Sequence, residues 1–447
     1  MRTLSATAAV FLMLMVGAAS ALAGWSVTRR WSTAPGASGT VVAVDARGDS
    51  AVAWTTCGGP HCERTAHSTG AYVTLRLVGG RLVTRRLSAN GFPLAVVIGR
   101  GQVTVVWSSP SGKGMSGAIL RASYGPLLGR WRAQTVGRWD IPPGYSSSVA
   151  KAHLAVARDG EVLLAWDDYA PPIDGSAVAW RVPGHGFTAP RRLSRSSLAP
   201  NGLGPVAAFD AGGSAYISGP CSGFVFLAPP HRHRFGPPID VAPGRVQPSW
   251  MRHSSLDFSL SLAGAGEGLA SWVRGECSSG AEGSTPGPVF ASVLHAGRFG
   301  EPLLLASGAA YNSTAVAVGE GGGTVSWIEP PGGFTLPLGG LFSVAIGADG
   351  SPGPVARITN TLVPFARDGG GDQVLGASAG FLPGAGDESV QTQGEVLVVR
   401  PVGGGADAPS PSQDGWLATS TPVGRAIALV WDSAGNGKTL ALSVWRP

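Results

Sequence analysis

Three aspartates offer the best acid–base chemistry in the chain: Asp140 and the adjacent Asp167 and Asp168. Paired carboxylates divide acid and base roles only when their separation and surroundings hold their proton affinities apart. Neighbours at 167 and 168 on an extended segment tend to point different ways, which weakens them as a pair. The residues around them suit a ligand-orienting surface. Trp139, Asp140 and Tyr145 precede one repeat unit, Asp167, Asp168 and Tyr169 follow its second strand, and Trp250, Arg252 and His253 precede another unit. Aromatic walls with a few polar groups form a shallow binding pocket, and ordinary loop packing is the plainer account of the same residues. The chain has no serine nucleophile elbow, phosphate loop or HExxH helix, so no catalytic residue is assigned.

Sulfur and imidazole come next. Cys57, His61, Cys62 and His67 carry zinc-binding atoms, but their spacing lacks the second paired motif of a zinc module. An exported chain oxidises its thiols. Register then favours Cys57 with Cys62 inside one loop, and Cys221 with Cys277 on one rim of adjacent units, among three combinations. No metal or other cofactor is assigned. His231-Arg232-His233-Arg234 reads as a solvated connection. Arg47-Gly48-Asp49 spells an adhesion tripeptide, yet it occupies a tight turn that recurs as Arg158-Asp159-Gly160. Asn312-Ser313-Thr314 has glycosylation spacing, but its strand-entry position and a bacterial source argue against modification.

These residues hang on a repeated hairpin. It reads VVAVDARGDSAVAW to Trp54, LAVVIGRGQVTVVW to Trp107 and HLAVARDGEVLLAW to Trp166. A weaker copy, VAAFDAGGSAYISG, ends at Gly219, and further copies close at Trp272, Trp327 and Trp431. Through Trp327 the closing positions fall about 53 to 59 residues apart, and Trp431 follows after about two periods. Side chains alternate with period two, as strands require. Equivalent placement at the ends of second strands makes Trp54, Trp107, Trp166, Trp272, Trp327 and Trp431 packing anchors between units rather than sugar platforms. A Gly-aromatic step such as RFGPPIDVA or RFGEPLLLA supplies a last strand, so each unit has four strands, a to d in chain order. Such a unit cannot bury its faces alone and stacks radially on its neighbours.

Composition agrees. Among 447 residues, 68 Gly and 35 Pro disfavour helices, and 44% hydrophobic residues oppose disorder. The mature first strand, GWSVTRRWS, lacks a to c before it, and the final KTLALSVW lacks a d strand after it; side by side they would close a ring and hide two edges. The expectation is one all-β propeller of four-stranded blades over residues 24–447, with seven blades favoured over eight or six. An irregular insertion is expected around 365–390.

Hairpins of the form G-x-x-x-V-x-W resemble the broad class of secreted bacterial β-propeller repeat proteins. The resemblance covers most of residues 24–447 and implies an architecture without naming an activity. The GH…WD pattern of WD40-type blades and the Ser-x-Asp-x-Gly-x-Thr-Trp box of sialidase-like propellers are absent. Met1-Arg2, an apolar run and Ala21-Leu22-Ala23 form a secretory signal over residues 1–23, with a retained anchor as the alternative. Scattered arginines and a net charge of +6 give no nucleic-acid footprint. The leading expectation is a secreted monomer without a mature transmembrane segment. It would recognise an envelope glycan or extracellular protein noncatalytically, or act as a scaffold, through one loop face. The alternative is a secreted hydrolase or lyase acting on an envelope glycan.

Overall fold

The computed structural model describes residues 24–33, 36–57, 68–110, 117–140, 152–170, 173–193, 205–218, 224–241, 258–262, 264–273, 287–310, 312–318, 322–329, 340–359, 362–367, 373–377, 397–400, 408–409, 416–419, 427–433 and 438–446. The expected signal segment lies outside them. Every named element is a β-strand. Among the described residues no helix is long and apolar enough to cross a membrane.

The hairpins form because aliphatic runs meet turns that hold themselves together. In the first blade, strand a (Ala37–Val44) reverses into strand b (Ser50–Cys57). Asp45 Oδ1 accepts the backbone N–H groups of Arg47 and Asp49, each at 2.9 Å, and Gly48 takes the left-handed φ of 86° that the reversal needs. Strand b is buried on both faces: Ala51, Val52, Ala53 and Trp54 are all core residues. It therefore reads as a nearly continuous apolar run.

Each of the seven hairpins seeds its own antiparallel sheet, with strands a to d side by side in chain order. The first six blades span Ala37–Ser88, Phe92–Asp140, Ala152–Arg192, Val206–Asp240, Phe258–Ala310 and Asn312–Thr359. In the sixth, Gly340–Ile346 and Ala356–Thr359 serve as strands c and d. The last blade takes strands a to c from Trp416–Thr419, Ile427–Asp432 and Thr439–Arg446. Its d position is filled by Gly24–Trp25 and Arg29–Ser32, with Trp31 opposite Leu440 and Trp25 opposite Trp445. Ser443 Oγ donates to Ser26 O at 2.6 Å, which ties the two ends further.

The seven expected blades are joined by one more sheet. Leu362–Arg367, Gln373–Ala377, Leu397–Arg400 and Ala408–Pro409 pair in sequence between the sixth blade and the last. The described strands thus make eight sheets. Part of the segment expected as an insertion supplies this sheet's first two strands; its b strand, QVLGA, carries no Trp by which the repeat could be recognised.

The core lies in the seams between blades. One cluster joins Val106, Leu120 and Val136 of the second blade to Leu154, Leu164 and Trp166 of the third. Others join third to fourth, fourth to fifth, fifth to sixth, last to first, and first to second. Trp166, Trp272, Trp327 and Trp54 each belong to the seam with the preceding blade. Trp107 and Trp431 are equally buried. Close approach is made possible by glycine: a Cβ on Gly91 would lie 2.6 Å from the Trp107 ring. Aromatic residues across strand c stack on three anchors, Tyr72 on Trp54, Phe290 on Trp272 and Phe342 on Trp327.

The expected disulfides are corrected: among the described residues there is no disulfide bond. Cys57 ends a strand opposite Ser68, whereas Cys62, Cys221 and Cys277 lie outside the described residues. A disulfide needs Cβ atoms within about 4.5 Å in the right orientation. Shared rim position between neighbouring blades does not impose that closeness.

Candidate functional site

An up-and-down blade sends the ends of strands b and d to one rim and the a–b and c–d turns to the other. Trp139 and Asp140 end strand d of the second blade, opposite Ala118 and Gly117. Asp167, Asp168 and Tyr169 lie near the end of strand b of the third, opposite Ser176, Gly175 and Asp174. These two groups therefore reach one rim on adjacent blades. Tyr145, Trp250, Arg252 and His253 lie outside the described residues.

Polar side chains converge on the other rim. A cleft of about 470 Å³ opens between the fifth and sixth blades, with His295, Arg298, Glu301 and Asp349 around it and Phe299 and Leu303 as apolar lining. His295 ends strand c (Gly287–His295). Ala296 and Gly297, at φ of 48° and 76°, turn the chain back so that Arg298 follows on the same rim. Glu267, in the a–b turn, lies 3.0 Å from His295 Nδ1 and accepts the Ala296 N–H at 3.3 Å. One carboxylate thus fixes both the imidazole and its turn. From the sixth blade, Asp349 accepts Ser351 Oγ at 2.6 Å and its N–H at 2.9 Å; these bonds hold its carboxyl below the usual range and keep it ionised at neutral pH. An imidazole oriented by a carboxylate is a general base, and a neighbouring guanidinium neutralises developing negative charge.

A second cleft, about 640 Å³, lies between the first and second blades on the same rim, lined largely by Leu77, Val78, Leu127 and Leu128. Its polar edge is spoken for. Arg47 is 2.7 Å from Asp49, whose Oδ1 accepts the Val78 N–H at 2.8 Å. The Arg-Gly-Asp tripeptide is occupied in holding its own turn.

Sequence reading passed over His295, Glu267 and Arg298. RFGEPLLLA marked Arg298 as a strand entry, but nothing in the spacing joins it to Glu267 or Asp349. One group among the described residues has metal-ligating composition, Asp159, Glu161 and His231 at the third–fourth seam.

No family model and no curated protein matches the chain. Solved structures do resemble it. A polysaccharide lyase is 10% identical with a TM-score of 0.44, over 92% of this chain and 90% of that one. An ulvan lyase is 10% identical with a TM-score of 0.45, over 77% of this chain and 90% of that one. A prolyl endopeptidase structure is 11% identical with a TM-score of 0.39, over 85% of this chain; this chain spans 52% of it. Likeness at this level concerns architecture and assigns no reaction. The expectation of a noncatalytic scaffold and non-enzyme is corrected: a ring of this kind is by itself no ground for setting catalysis aside.

Proposed function

We propose that this chain is a secreted bacterial hydrolase or lyase acting on an envelope glycan. The observation that carries the reading is the His295–Glu267 pair beside Arg298 at the mouth of the fifth–sixth cleft. In a lyase, His295 takes the proton next to a uronate carboxyl while Arg298 neutralises the charge that builds there; that electron pair then becomes the new double bond as the neighbouring glycosidic C–O bond breaks and the departing oxygen takes a proton from the imidazolium or water. In a hydrolase, His295 activates a water for attack at the sugar carbon, and Glu301 in the same cleft is the candidate donor to the departing oxygen. Leu303 gives the sugar ring an apolar contact, backed by the buried Phe299. Export through residues 1–23 and action as a monomer, without nucleic acid, belong to the same reading.

The test is turnover of envelope glycans and uronate-containing polysaccharides by the purified chain. A lyase leaves an ultraviolet-absorbing unsaturated sugar end, whereas a hydrolase leaves labelled water oxygen in its product. His295→Ala should lower the rate by about 10²–10⁴-fold, with Glu267→Gln also impaired and both variants folded. Asp140→Asn, Asp167→Asn and Asp168→Asn, made separately, should leave it unchanged; their loss of activity would move the reaction to the other rim. Absence of turnover on the whole panel would overturn the proposal.

A further inference from the structure

The seam between the third and fourth blades gathers two carboxylates and two imidazoles. Asp159 and Glu161 sit on the a–b turn of the third blade, between Ala152–Val156 and Val162–Ala170. His231 and His233 come from the c–d connection of the fourth, between Phe224–Ala228 and Pro238–Asp240. His231 Nδ1 lies 3.7 Å from both Asp159 Oδ2 and Glu161 Oε2, and His233 Nε2 abuts Glu161 Oε1. The ligand atoms of Asp159, Glu161 and His231 all fall within 4.8 Å of one another.

Salt bridging alone accounts poorly for this group. A separation of 3.7 Å is too long for a hydrogen bond. It is close to the spacing of two atoms that share one tetrahedral ion, about 3.3 Å for bonds of about 2.0–2.1 Å. Glu161 supplies the second observation. Its side chain is only 3% exposed, with Oε1 held against His233 Nε2 and Oε2 turned toward His231. A carboxylate kept from water in this way calls for positive charge beside it.

The surroundings hold the donors in place. Asp159 Oδ1 accepts the Glu161 N–H at 3.0 Å, so Oδ2 is left facing His231. The His233 ring stacks on buried Trp180 with centroids 5.1 Å apart, and Arg191 Nη1 donates to its backbone oxygen at 3.4 Å. His231 and His233 both adopt positive φ, 57° and 29°, rare for residues with a side chain.

We propose that Asp159, Glu161 and His231, with His233 packed against the Glu161 carboxylate, form a binding site for a divalent transition-metal ion of the zinc type, clamping the third blade to the fourth. The imidazole selects against calcium and magnesium, which take oxygen ligands. Three protein donors leave the fourth position of a tetrahedral shell to water. The dication offsets two carboxylate charges across a seam between residues some seventy positions apart, close to one and a third periods of the repeat. The site is independent of the fifth–sixth cleft.

The full chain, stripped with a chelator, is titrated with Zn²⁺ by calorimetry and with Co²⁺ by visible absorption. The expected result is one ion per chain, tetrahedral cobalt bands, and a zinc-dependent rise in Tm. His231→Ala suits the test because that side chain is 75% exposed and its loss should leave folding intact. It should weaken binding at least as much as the 10–100-fold typical of losing an outer-shell partner. The double variant with Asp159→Asn should abolish both the bands and the Tm rise, while Cys57→Ser with Cys62→Ser should change neither. Absence of saturable binding would overturn the proposal. So would binding that survives the His231 and Asp159 changes but disappears with the cysteines.

Discussion

Acidification should loosen the third–fourth seam through one further side chain, His153. It lies on strand a of the third blade, and its Nδ1 accepts the backbone N–H of Ala207 from strand a of the fourth at 3.3 Å. Burial pushes its pKa from 6.5 down to about 4, so the fold holds the neutral ring that can accept this bond. Unfolded chain takes up a proton at 6.5 and folded chain only at about 4. The associated stability is therefore complete above pH 6.5, declines as pH falls between these values, and is lost below pH 4. At about 1.36 kcal/mol per pH unit the loss is about 3 kcal/mol. For a chain of this length that corresponds to roughly 4 °C in Tm. The assay is Tm against pH for the natural chain and for His153→Asn, whose Oδ1 still accepts the Ala207 N–H but does not titrate. Other carboxylates contribute to both curves, so the difference in slope isolates His153. Parallel curves between pH 6.5 and 4 would refute the reasoning.

Trp107→Ala should cost about 3–5 kcal/mol in denaturant unfolding, because the ring is 1% exposed; Gly91→Ala, whose new Cβ would meet that ring at 2.6 Å, should cost about 1–3 kcal/mol. Asp45→Ala removes the acceptor for two turn N–H groups and should destabilise by about 1–2 kcal/mol, with the neighbouring amides showing faster hydrogen exchange. Deleting residues 24–33 strips the edge of Thr439–Arg446 and should give concentration-dependent association in size-exclusion chromatography. A truncated chain that stays monomeric and equally stable would mean that this edge contributes little.

Strands, turns and the Trp-ended hairpins were legible in the sequence because they depend on near neighbours. Alternation over about five residues sets which face is buried, and Asp45 with Gly48 sets the reversal, without reference to distant chain. Trp31 and Leu440 could be matched from the two ends because each end displayed an incomplete unit. The sheet from Leu362 to Pro409 escaped notice because its strands are short and its hairpin has no closing Trp. The sites escaped for another reason. Glu267 and His295 face each other across two turns of one blade, Asp349 comes from the next, and His231 meets Asp159 across a seam. Local pattern specifies each blade and the rim on which its turns emerge. Which side chains meet between blades depends on the radial stacking, which brings together turns that share no local sequence pattern. Disulfide pairing is not legible for the same reason, since rim register alone does not fix the few ångströms and the orientation that a covalent bond requires.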